Sequence, residues 1–202
     1  MIDGLIKSKI DPLWESLATP LVNRGWTPNQ VTFAGLVIIA FASLTYLWLR
    51  SELLFGLMLT VAFAFDALDG AVARRRGLST KAGGYFDAMV DRYQELAVLA
   101  AIAYVHDAWM LALFAFAGSV FTSYAKARTA IEIPISNENW PDFFERLERV
   151  IFLCLMLILA GAFGDWVITG GLALFAILAH ATALQRAWRA AQMLRAVDQR
   201  DQ

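Results

Sequence analysis

The sequence predicts an all-α integral membrane protein with six transmembrane helices preceded by an amphipathic helix. Three observations support this fold class. First, 59% of the 202 residues are hydrophobic and 17% are charged, whereas ordinary soluble domains carry about 25% charged residues. Second, charge-free stretches near the ~20 residues needed to cross a bilayer recur along the chain. Third, basic residues gather at alternate ends of these stretches.

The first 27 residues form a segment distinct from the helices that follow. Apolar residues recur there at helical spacing, which predicts an amphipathic juxtamembrane helix lying in the cytoplasmic interface. An ordinary surface helix packed on the bundle fits the same pattern. The apolar positions are Ile2, Leu5, Ile6, Ile10, Leu13, Trp14, Leu17 and Leu21. Thr27-Pro28 then indicates a helix start, with Thr27 at the N-cap and Pro28 at the first helical position.

Six spans are predicted within residues 28–193. Four are predicted from apolar composition: 31–49, 108–125, 150–164 and 166–185. The third of these can extend back to residue 143. Two more are apolar at one end and charged at the other. The stretch 53–65 runs into Asp66, and the helix that carries Asp87 turns apolar over 96–105. With residues 194–202 as a cytoplasmic tail, the chain is expected to form one membrane domain over 1–202.

The distribution of Lys and Arg sets the orientation. Six spans place the N-terminus, the loops at 74–82 and 126–149, and the tail on one side, which then holds all 17 basic residues except Arg50. Five or seven spans scatter them over both sides. The basic side is therefore cytoplasmic, and the expected location is the plasma (inner) membrane. The net charge of −1 provides no basic field for nucleic acid, and the single cysteine, Cys154, excludes a Cys-based zinc site.

Four aspartates lie where the second and third predicted spans meet their connecting loop. A charged residue costs about 2.5–3.5 kcal/mol at the centre of a membrane helix on insertion scales, so a functional explanation is the default. Helical geometry places two polar sets on one face each: Asp66, Asp69, Gly70, Ala73 and Arg74 on one helix, and Gly83, Asp87 and Asp91 on the next. Because the loop between them is short, the two helices are predicted to be antiparallel neighbours whose carboxylates share one cavity.

Carboxylates at close range repel one another and cannot all stay ionised unaided. All-oxygen ligation suits Mg²⁺, Mn²⁺ or Ca²⁺ rather than zinc or copper. Two Mg²⁺ match four aspartates in charge, and a two-metal site serves phosphoryl transfer. Adjacent glycines leave room for a phosphate, and Arg74 could hold a phosphate oxygen. Pairing with nearby basic residues explains any one aspartate alone, but not four at these spacings.

The same residues spell D-x2-D-G-x2-A-R-x8-G-x3-D-x3-D from Asp66 to Asp91, with all eight fixed positions filled. This pattern resembles the signature of the CDP-alcohol phosphatidyltransferase family, which also has six transmembrane helices and a cytoplasmic juxtamembrane helix. The resemblance implies that a hydroxyl of a small alcohol attacks the lipid-linked phosphate of CDP-diacylglycerol or CDP-archaeol, and that CMP leaves. It also implies a homodimer.

The resemblance assigns roles to residues at the matching positions. Asp66, Asp69 and Asp87 become metal ligands, and Asp91 becomes both a ligand and the base that deprotonates the alcohol, with two Mg²⁺ expected and Mn²⁺ as an alternative. The positions expected to bind the CDP-lipid are Asn29, Gln30, Val31, Thr32, Gly70, Arg74, Thr80 and Gly83. Helix N-termini bind phosphates, which supports residues 29–32, although a plain Thr-Pro-Asn cap has the same sequence.

Basic residues also end three of the predicted spans, in the motifs SYAKAR, ERLER and QRAWR. On charge alone the positive-inside bias explains them, and a pocket for a phosphorylated acceptor is the alternative. The motifs resemble the branch of the family that makes phosphatidylinositol phosphate, together with its archaeal ether-lipid counterpart. That resemblance implies that Lys126, Arg146 and Arg186 bind the phosphate of inositol 1-phosphate. The acidic, aromatic loop at 138–145 departs from this branch.

Two other functions compete with this interpretation. Glycerol 3-phosphate is the main alternative acceptor, whereas serine has no phosphate to engage the basic residues. A cation transporter could use the acidic cluster as its ion path. A transporter predicts carboxylates near the bilayer midplane, however, and it does not explain Gly70, Arg74 or Gly83.

Overall fold

The computed structural model describes residues 2–135, 140 and 143–199, except the side chains of residues 2–12. Within these ranges every regular element is an α-helix. The eight helices are α1 (Ile2–Asn23), α2 (Pro28–Leu49), α3 (Glu52–Asp66), α4 (Leu68–Arg76), α5 (Lys81–His106), α6 (Trp109–Glu132), α7 (Arg146–Phe163) and α8 (Trp166–Asp198). The predicted all-helical class is confirmed. Part of the 138–145 loop, including Glu138, lies outside the described residues.

Four stretches of the described chain are long and apolar enough to cross a membrane: α2, the run of α3 and α4 from Glu52 to Arg76, α6 and α8. The helices α5 and α7 were predicted as spans too, but each carries several ionisable residues. Length and composition therefore support a multi-pass membrane protein, and the count of six spans remains a prediction.

The start of α2 is built as the sequence predicts. Thr27 is the N-cap and Pro28 follows it in the first turn. The Gln30 amide donates to the Thr27 side-chain oxygen over 3.3 Å, and the Gln30 side-chain oxygen accepts from the Thr27 amide over 2.9 Å. This reciprocal capping box satisfies two backbone donors that a helix end otherwise leaves unpaired.

Two predicted helices differ from the observed ones at their ends. The acid-bearing helix is interrupted at Ala67, so Asp66 ends α3 while Asp69 lies in the first turn of α4. The helix predicted to extend back to residue 143 begins at Arg146 instead. The Phe144 ring packs edge-on against Phe152 and Phe175, and this burial holds the chain outside the helix.

The helices pack in an order that the short α4–α5 loop does not reveal. The helix α2 packs against both α3 and α5, α3 packs against α7, and α6 packs against α8. The two acid-bearing helices meet through their side chains, since carboxylate oxygens of Asp66, Asp87 and Asp91 lie within 4.8 Å of one another, while α2 packs closely against both helices. Close approach at Gly118, beside Ala179, and at Gly171, beside Met156, brings α8 against α6 and α7.

The helix α1 lies against α4. Ala18 is fully buried in a small apolar cluster with Val31, Leu68, Ala71 and Val72, while Leu13 and Leu17 are exposed. Two arginines of α4 reinforce this packing. Arg75 donates to the Glu15 carbonyl oxygen over 2.8 Å, and Arg76 donates to the carbonyl oxygens of Gly25 and Trp26 over 2.7 and 2.6 Å.

Candidate active site

Three of the four predicted metal ligands meet at one point in the bundle. Asp66 comes from the end of α3, and Asp87 and Asp91 come from α5. One carboxylate oxygen from each lies within 4.8 Å of the others. Asp66 and Asp91 are buried and Asp87 is half-buried, so the cluster is open mainly on the side of Asp87.

The fourth predicted ligand, Asp69, lies on the α2 side of this cluster. Its Oδ2 atom is 2.6 Å from the Thr32 hydroxyl oxygen, and its side chain is near enough to Asp87 to interact with it directly. Asp69 therefore connects the carboxylate cluster to the first turns of α2, where the CDP-lipid is predicted to bind.

Arg146, predicted as an acceptor-phosphate ligand, enters the same cluster from the start of α7. Its Nη2 atom donates to Asp66 Oδ2 over 2.7 Å and to Gln94 Oε1 over 2.8 Å. The same nitrogen lies 2.5 Å from Asp91 Oδ1. The guanidinium thus supplies positive charge where the carboxylates of α3 and α5 face each other.

Two residues of the site were not predicted from the sequence. Gln94 has no exposed surface, and its Nε2 atom donates to Asp66 Oδ1 over 2.9 Å. A Cβ atom at Gly35 would overlap the Asp66 carboxylate, so the lack of a side chain there allows α2 to approach. Two signals were available: Gln94 is a polar residue on the same helix as Asp91, three positions later, and Gly35 is the single glycine of an apolar helix.

The other predicted CDP-binding residues lie around the starts of α2 and α5. Thr80 caps α5, and its side-chain oxygen accepts from the Gly83 amide over 3.0 Å. A Cβ atom at Gly83 would lie 3.4 Å from Asn29 Oδ1, so the two helix starts face each other. In α4, the position of a Cβ on Gly70 is 3.6 Å from Arg74 Nη1.

Two predicted CDP-binding residues near the start of α2 use their side chains for structure. The Gln30 side chain closes the capping box of α2. The Val31 side chain is fully buried in the cluster beneath α1. The backbone amides of both residues also donate to Thr27, so the cap of α2 already uses the donors that these two positions would offer to a phosphate.

The remaining basic residues of the predicted acceptor pocket lie on α6 and α8. Arg186 is buried, donates to the Thr122 carbonyl oxygen over 2.6 Å, and pairs with Glu145 over 3.2 Å. Glu145 is the N-cap of α7, so the start of α7 meets α8 at Arg186. Lys126, which lies one helical turn after Thr122 on α6, is half-buried. The structure thus brings α6, α7 and α8 together through Thr122, Glu145 and Arg186.

The donor set fits a divalent metal ion. Oxygen atoms of three aspartates on two helices, α3 and α5, gather in one place, and hard cations such as Mg²⁺ and Mn²⁺ prefer such ligands. Thr32 donates to Asp69 Oδ2 and Gln94 donates to Asp66 Oδ1, while Asp66 Oδ2 accepts from Arg146. These bonds orient the ligands from outside, as is common at metal sites.

Known proteins share both this sequence pattern and this fold. A sequence model of the CDP-alcohol phosphatidyltransferase family matches residues 25–186. The chain is 33% identical over 190 residues to an archaetidylinositol phosphate synthase of Pyrococcus horikoshii, covering 94% of this chain and 96% of that protein.

Solved structures of a phosphatidylinositol phosphate synthase from Mycobacterium tuberculosis share the fold at 26% sequence identity. The structure with CDP-DAG bound superposes with a TM-score of 0.77 and covers 89% of this chain and 94% of that chain. The structure in complex with manganese and citrate superposes with a TM-score of 0.76 and covers 88% of each chain.

Proposed function

The chain belongs to the CDP-alcohol phosphatidyltransferase family, and from this premise we propose that it transfers the lipid phosphate of a CDP-activated lipid to inositol 1-phosphate. One observation carries the proposal: Arg146, on a motif shared with the inositol phosphate branch, lies against Asp91, the base expected from the family signature. The name of the archaeal relative agrees with this acceptor.

Asp66, Asp69, Asp87 and Asp91 are the proposed ligands of two Mg²⁺ ions, with Mn²⁺ as the alternative. The manganese in the related synthase structure supports divalent metal binding. When bound, the ions neutralise the negative charge that develops on the attacking and leaving oxygens.

The acceptor-binding residues bring the reacting hydroxyl to the base. Lys126, Arg146 and Arg186 hold the phosphate of inositol phosphate through charge-assisted hydrogen bonds. Because Arg146 Nη2 lies 2.5 Å from Asp91 Oδ1, an acceptor bound there has its hydroxyl groups within reach of Asp91. Positioning of this kind contributes a large share of the rate in phosphoryl transfer.

The chemical step is a displacement at the lipid-linked phosphorus. Asp91 takes the proton of the acceptor hydroxyl, the hydroxyl oxygen forms a bond to phosphorus, and the bond from phosphorus to the CMP oxygen breaks. Arg74, Thr80 and the start of α2 hold the cytidine diphosphate during this step. The products are a phosphatidylinositol or archaetidylinositol phosphate and CMP.

The membrane arrangement completes the proposal. Six spans place the aspartates at the cytoplasmic face of the plasma membrane, and α1 lies in the interface beside them. The exposed Leu13 and Leu17 support this position for α1, and the basic residues at the same end of the bundle support the orientation. A homodimer is expected from the family resemblance.

Measurement of CMP release by the purified protein tests the proposal. CDP-diacylglycerol and CDP-archaeol are each supplied with Mg²⁺ and one acceptor: inositol 1-phosphate, glycerol 3-phosphate, free inositol or serine. We expect release with inositol 1-phosphate alone. Release with glycerol 3-phosphate alone would support the transferase reaction and contradict inositol 1-phosphate as the acceptor. Release with none of them would overturn the proposed reaction.

The variant Arg146→Ala tests the acceptor pocket separately. We expect it to raise the KM for inositol 1-phosphate much more than the KM for the CDP-lipid, because the acceptor is the substrate that Arg146 is proposed to bind. Arg128→Ala is the matched control, since Arg128 pairs with Glu132 on the exposed surface of α6. Equal effects of Arg146→Ala on the two KM values would contradict the pocket.

A further inference from the structure

Gln94 joins the two halves of the site through its side-chain amide. The amide nitrogen donates to Asp66 Oδ1 over 2.9 Å, and the amide oxygen accepts from Arg146 Nη2 over 2.8 Å. The side chain has no exposed surface. Both ends of the buried amide are therefore hydrogen-bonded, one to Asp66, an expected metal ligand, and the other to Arg146, which is expected to bind the phosphate of the acceptor substrate.

We propose that Gln94 is a positioning residue that fixes the Asp66 carboxylate and the Arg146 guanidinium relative to each other. The metal-binding and acceptor-binding parts of the site would then form as one unit. The inference rests on the proposed function, because it takes the roles of Asp66 and Arg146 from it.

The hydrogen bonds of Arg146 Nη2 explain why an uncharged hydrogen-bond acceptor is useful at residue 94. This nitrogen carries two hydrogens, and they are donated to Asp66 Oδ2 and Gln94 Oε1. Asp91 Oδ1 is held only as an ion pair. When Asp66 and Asp91 engage a metal ion, their hold on the guanidinium weakens. Gln94 Oε1 is not a metal ligand in this scheme, so it keeps Arg146 at the edge of the cluster.

The chemistry of the amide suits this position better than other side chains would. A carboxylate at residue 94 would repel Asp66, and an ammonium group could not accept from Arg146. A glutamine amide has one donating and one accepting end. Its observed orientation is the one in which both contacts are attractive. Because Asp66 Oδ1 already receives this hydrogen bond, the direction of the carboxylate is set.

The neighbouring residue Glu95 provides a matched control. It is buried on the same helix, but it pairs with Arg149 over 2.7 Å and with Arg92 over 2.9 Å. Neither arginine is an expected metal or acceptor ligand. Changing Glu95 therefore disturbs a buried ionic group on α5 without removing a contact to Asp66 or Arg146.

The main test uses Gln94→Met, which keeps the length of the side chain and removes both hydrogen bonds. Titration with Mn²⁺, followed by electron paramagnetic resonance without substrates, should show metal binding weakened about 10- to 100-fold, the usual effect of losing a partner that orients a ligand. The KM for inositol 1-phosphate should rise at least tenfold more than the KM for the CDP-lipid. Glu95→Gln should lower thermal stability and leave both quantities at their wild-type values.

Double variants separate positioning from a general loss of structure. If Gln94 acts through Arg146, Gln94→Met adds nothing to the acceptor KM in an Arg146→Met background. If it acts through Asp66, it adds nothing to the loss of Mn²⁺ affinity in an Asp66→Asn background. Residues that share one network are expected to show such non-additivity.

Several outcomes overturn the inference. They are an unchanged Mn²⁺ affinity in Gln94→Met, additive effects in both double variants, or the same changes in Glu95→Gln. If Gln94→Met does not fold, Gln94→Glu replaces it, since it keeps an acceptor for Arg146 and loses the donor to Asp66. In Gln94→Glu the Mn²⁺ affinity should change tenfold or more, while the ratio of the KM for inositol 1-phosphate to the KM for the CDP-lipid stays within threefold of its wild-type value. An unchanged Mn²⁺ affinity overturns the inference.

The same experiments distinguish failure of the inference from failure of the proposed function. If wild-type protein releases no CMP with any acceptor, the proposed reaction fails, while the Mn²⁺ titrations still report on Gln94 and Asp66. If the wild type is active and Arg146→Met alters the acceptor KM but Gln94→Met does not, the function stands and the inference about Gln94 fails.

Discussion

The Thr32 hydroxyl oxygen lies 2.6 Å from Asp69 Oδ2 and 3.1 Å from the Pro28 carbonyl oxygen. A threonine hydroxyl has one hydrogen to donate. The shorter distance and the charge on the carboxylate favour donation to Asp69, because hydrogen bonds to ionised groups are the stronger ones. The first turns of α2 and α4 are thereby joined beside the acidic cluster.

The variant Thr32→Val tests this link. Valine keeps the shape of threonine and removes the donor, so Asp69 loses the bond that orients it. We expect Mn²⁺ affinity to fall about tenfold, at the lower end of the range for loss of such a partner. Titration with Mn²⁺ in the absence of substrates measures it. Thr32→Ser, which keeps the hydroxyl, should bind metal like the wild type, and equal losses in both variants would contradict the role of the hydrogen bond.

The variant Asp91→Asn tests the proposed base. Asparagine keeps the size of the side chain but cannot take the proton from the hydroxyl group of the alcohol substrate. Since a positioned general base contributes about 10²- to 10⁴-fold to a rate, we expect kcat for CMP release to fall at least 100-fold, while CDP-lipid binding measured by calorimetry stays close to wild type. Near-wild-type turnover would show that another group takes the proton.

Thermal melting of Arg146→Met with and without Mg²⁺ tests whether Arg146 and metal serve the same carboxylates. Loss of the guanidinium removes the positive charge that pairs with both Asp66 and Asp91. We expect a lower melting temperature in EDTA and a larger stabilisation by Mg²⁺ than in the wild type, because binding to the folded state alone stabilises it.

Arg149→Met is the control for this experiment. Arg149 is buried one turn further along α7 and pairs with Glu95, so its loss leaves that buried carboxylate with Arg92 alone and destabilises the fold. Its melting temperature should fall by the same amount with and without Mg²⁺. If Mg²⁺ raises the melting temperature of Arg146→Met no more than that of the wild type, Arg146 and the metal do not serve the same carboxylates.

The pair Gly35→Ala and Gly170→Ala tests the close approach of α2 to Asp66. A methyl group at residue 35 overlaps the Asp66 carboxylate, whereas one at residue 170 meets no atom within 4 Å. Asp66 cannot give way freely, because Gln94 and Arg146 hold it. We expect kcat to fall at least tenfold in Gly35→Ala and to be unchanged in Gly170→Ala. Unchanged activity in Gly35→Ala would mean that α2 shifts at no cost.

The features predicted correctly from the sequence are those set by local chemistry. Apolar composition identified the helices, and Thr27-Pro28 identified the start of α2, because caps depend on residues within a few positions of each other. The spacing of Asp87 and Asp91 placed both on one side of α5, where their oxygens meet Asp66. Periodicity along a helix requires no knowledge of its neighbours.

The features that the sequence did not reveal depend on which helices pack together. Gln94 resembles any polar residue on a helix until α5 is seen beside the end of α3. Arg146 is recognisable as a basic residue at a helix end, but its entry into the carboxylate cluster requires the packing of α7 against α3. Similarly, the break at Ala67 leaves no strong signal, since its backbone angles stay in the helical region.

The contacts of Arg75 and Arg76 have a consequence for how this protein can vary. Three of their acceptors are main-chain carbonyl oxygens, at Glu15, Gly25 and Trp26, and every amino acid carries such an oxygen. Substitutions on the outer surface of α1 can therefore accumulate without loss of these bonds, as long as the backbone keeps its path. The arginines that make these bonds lie on α4, next to Asp69 and Gly70, so the outward face of α1 can change while the helix stays in place.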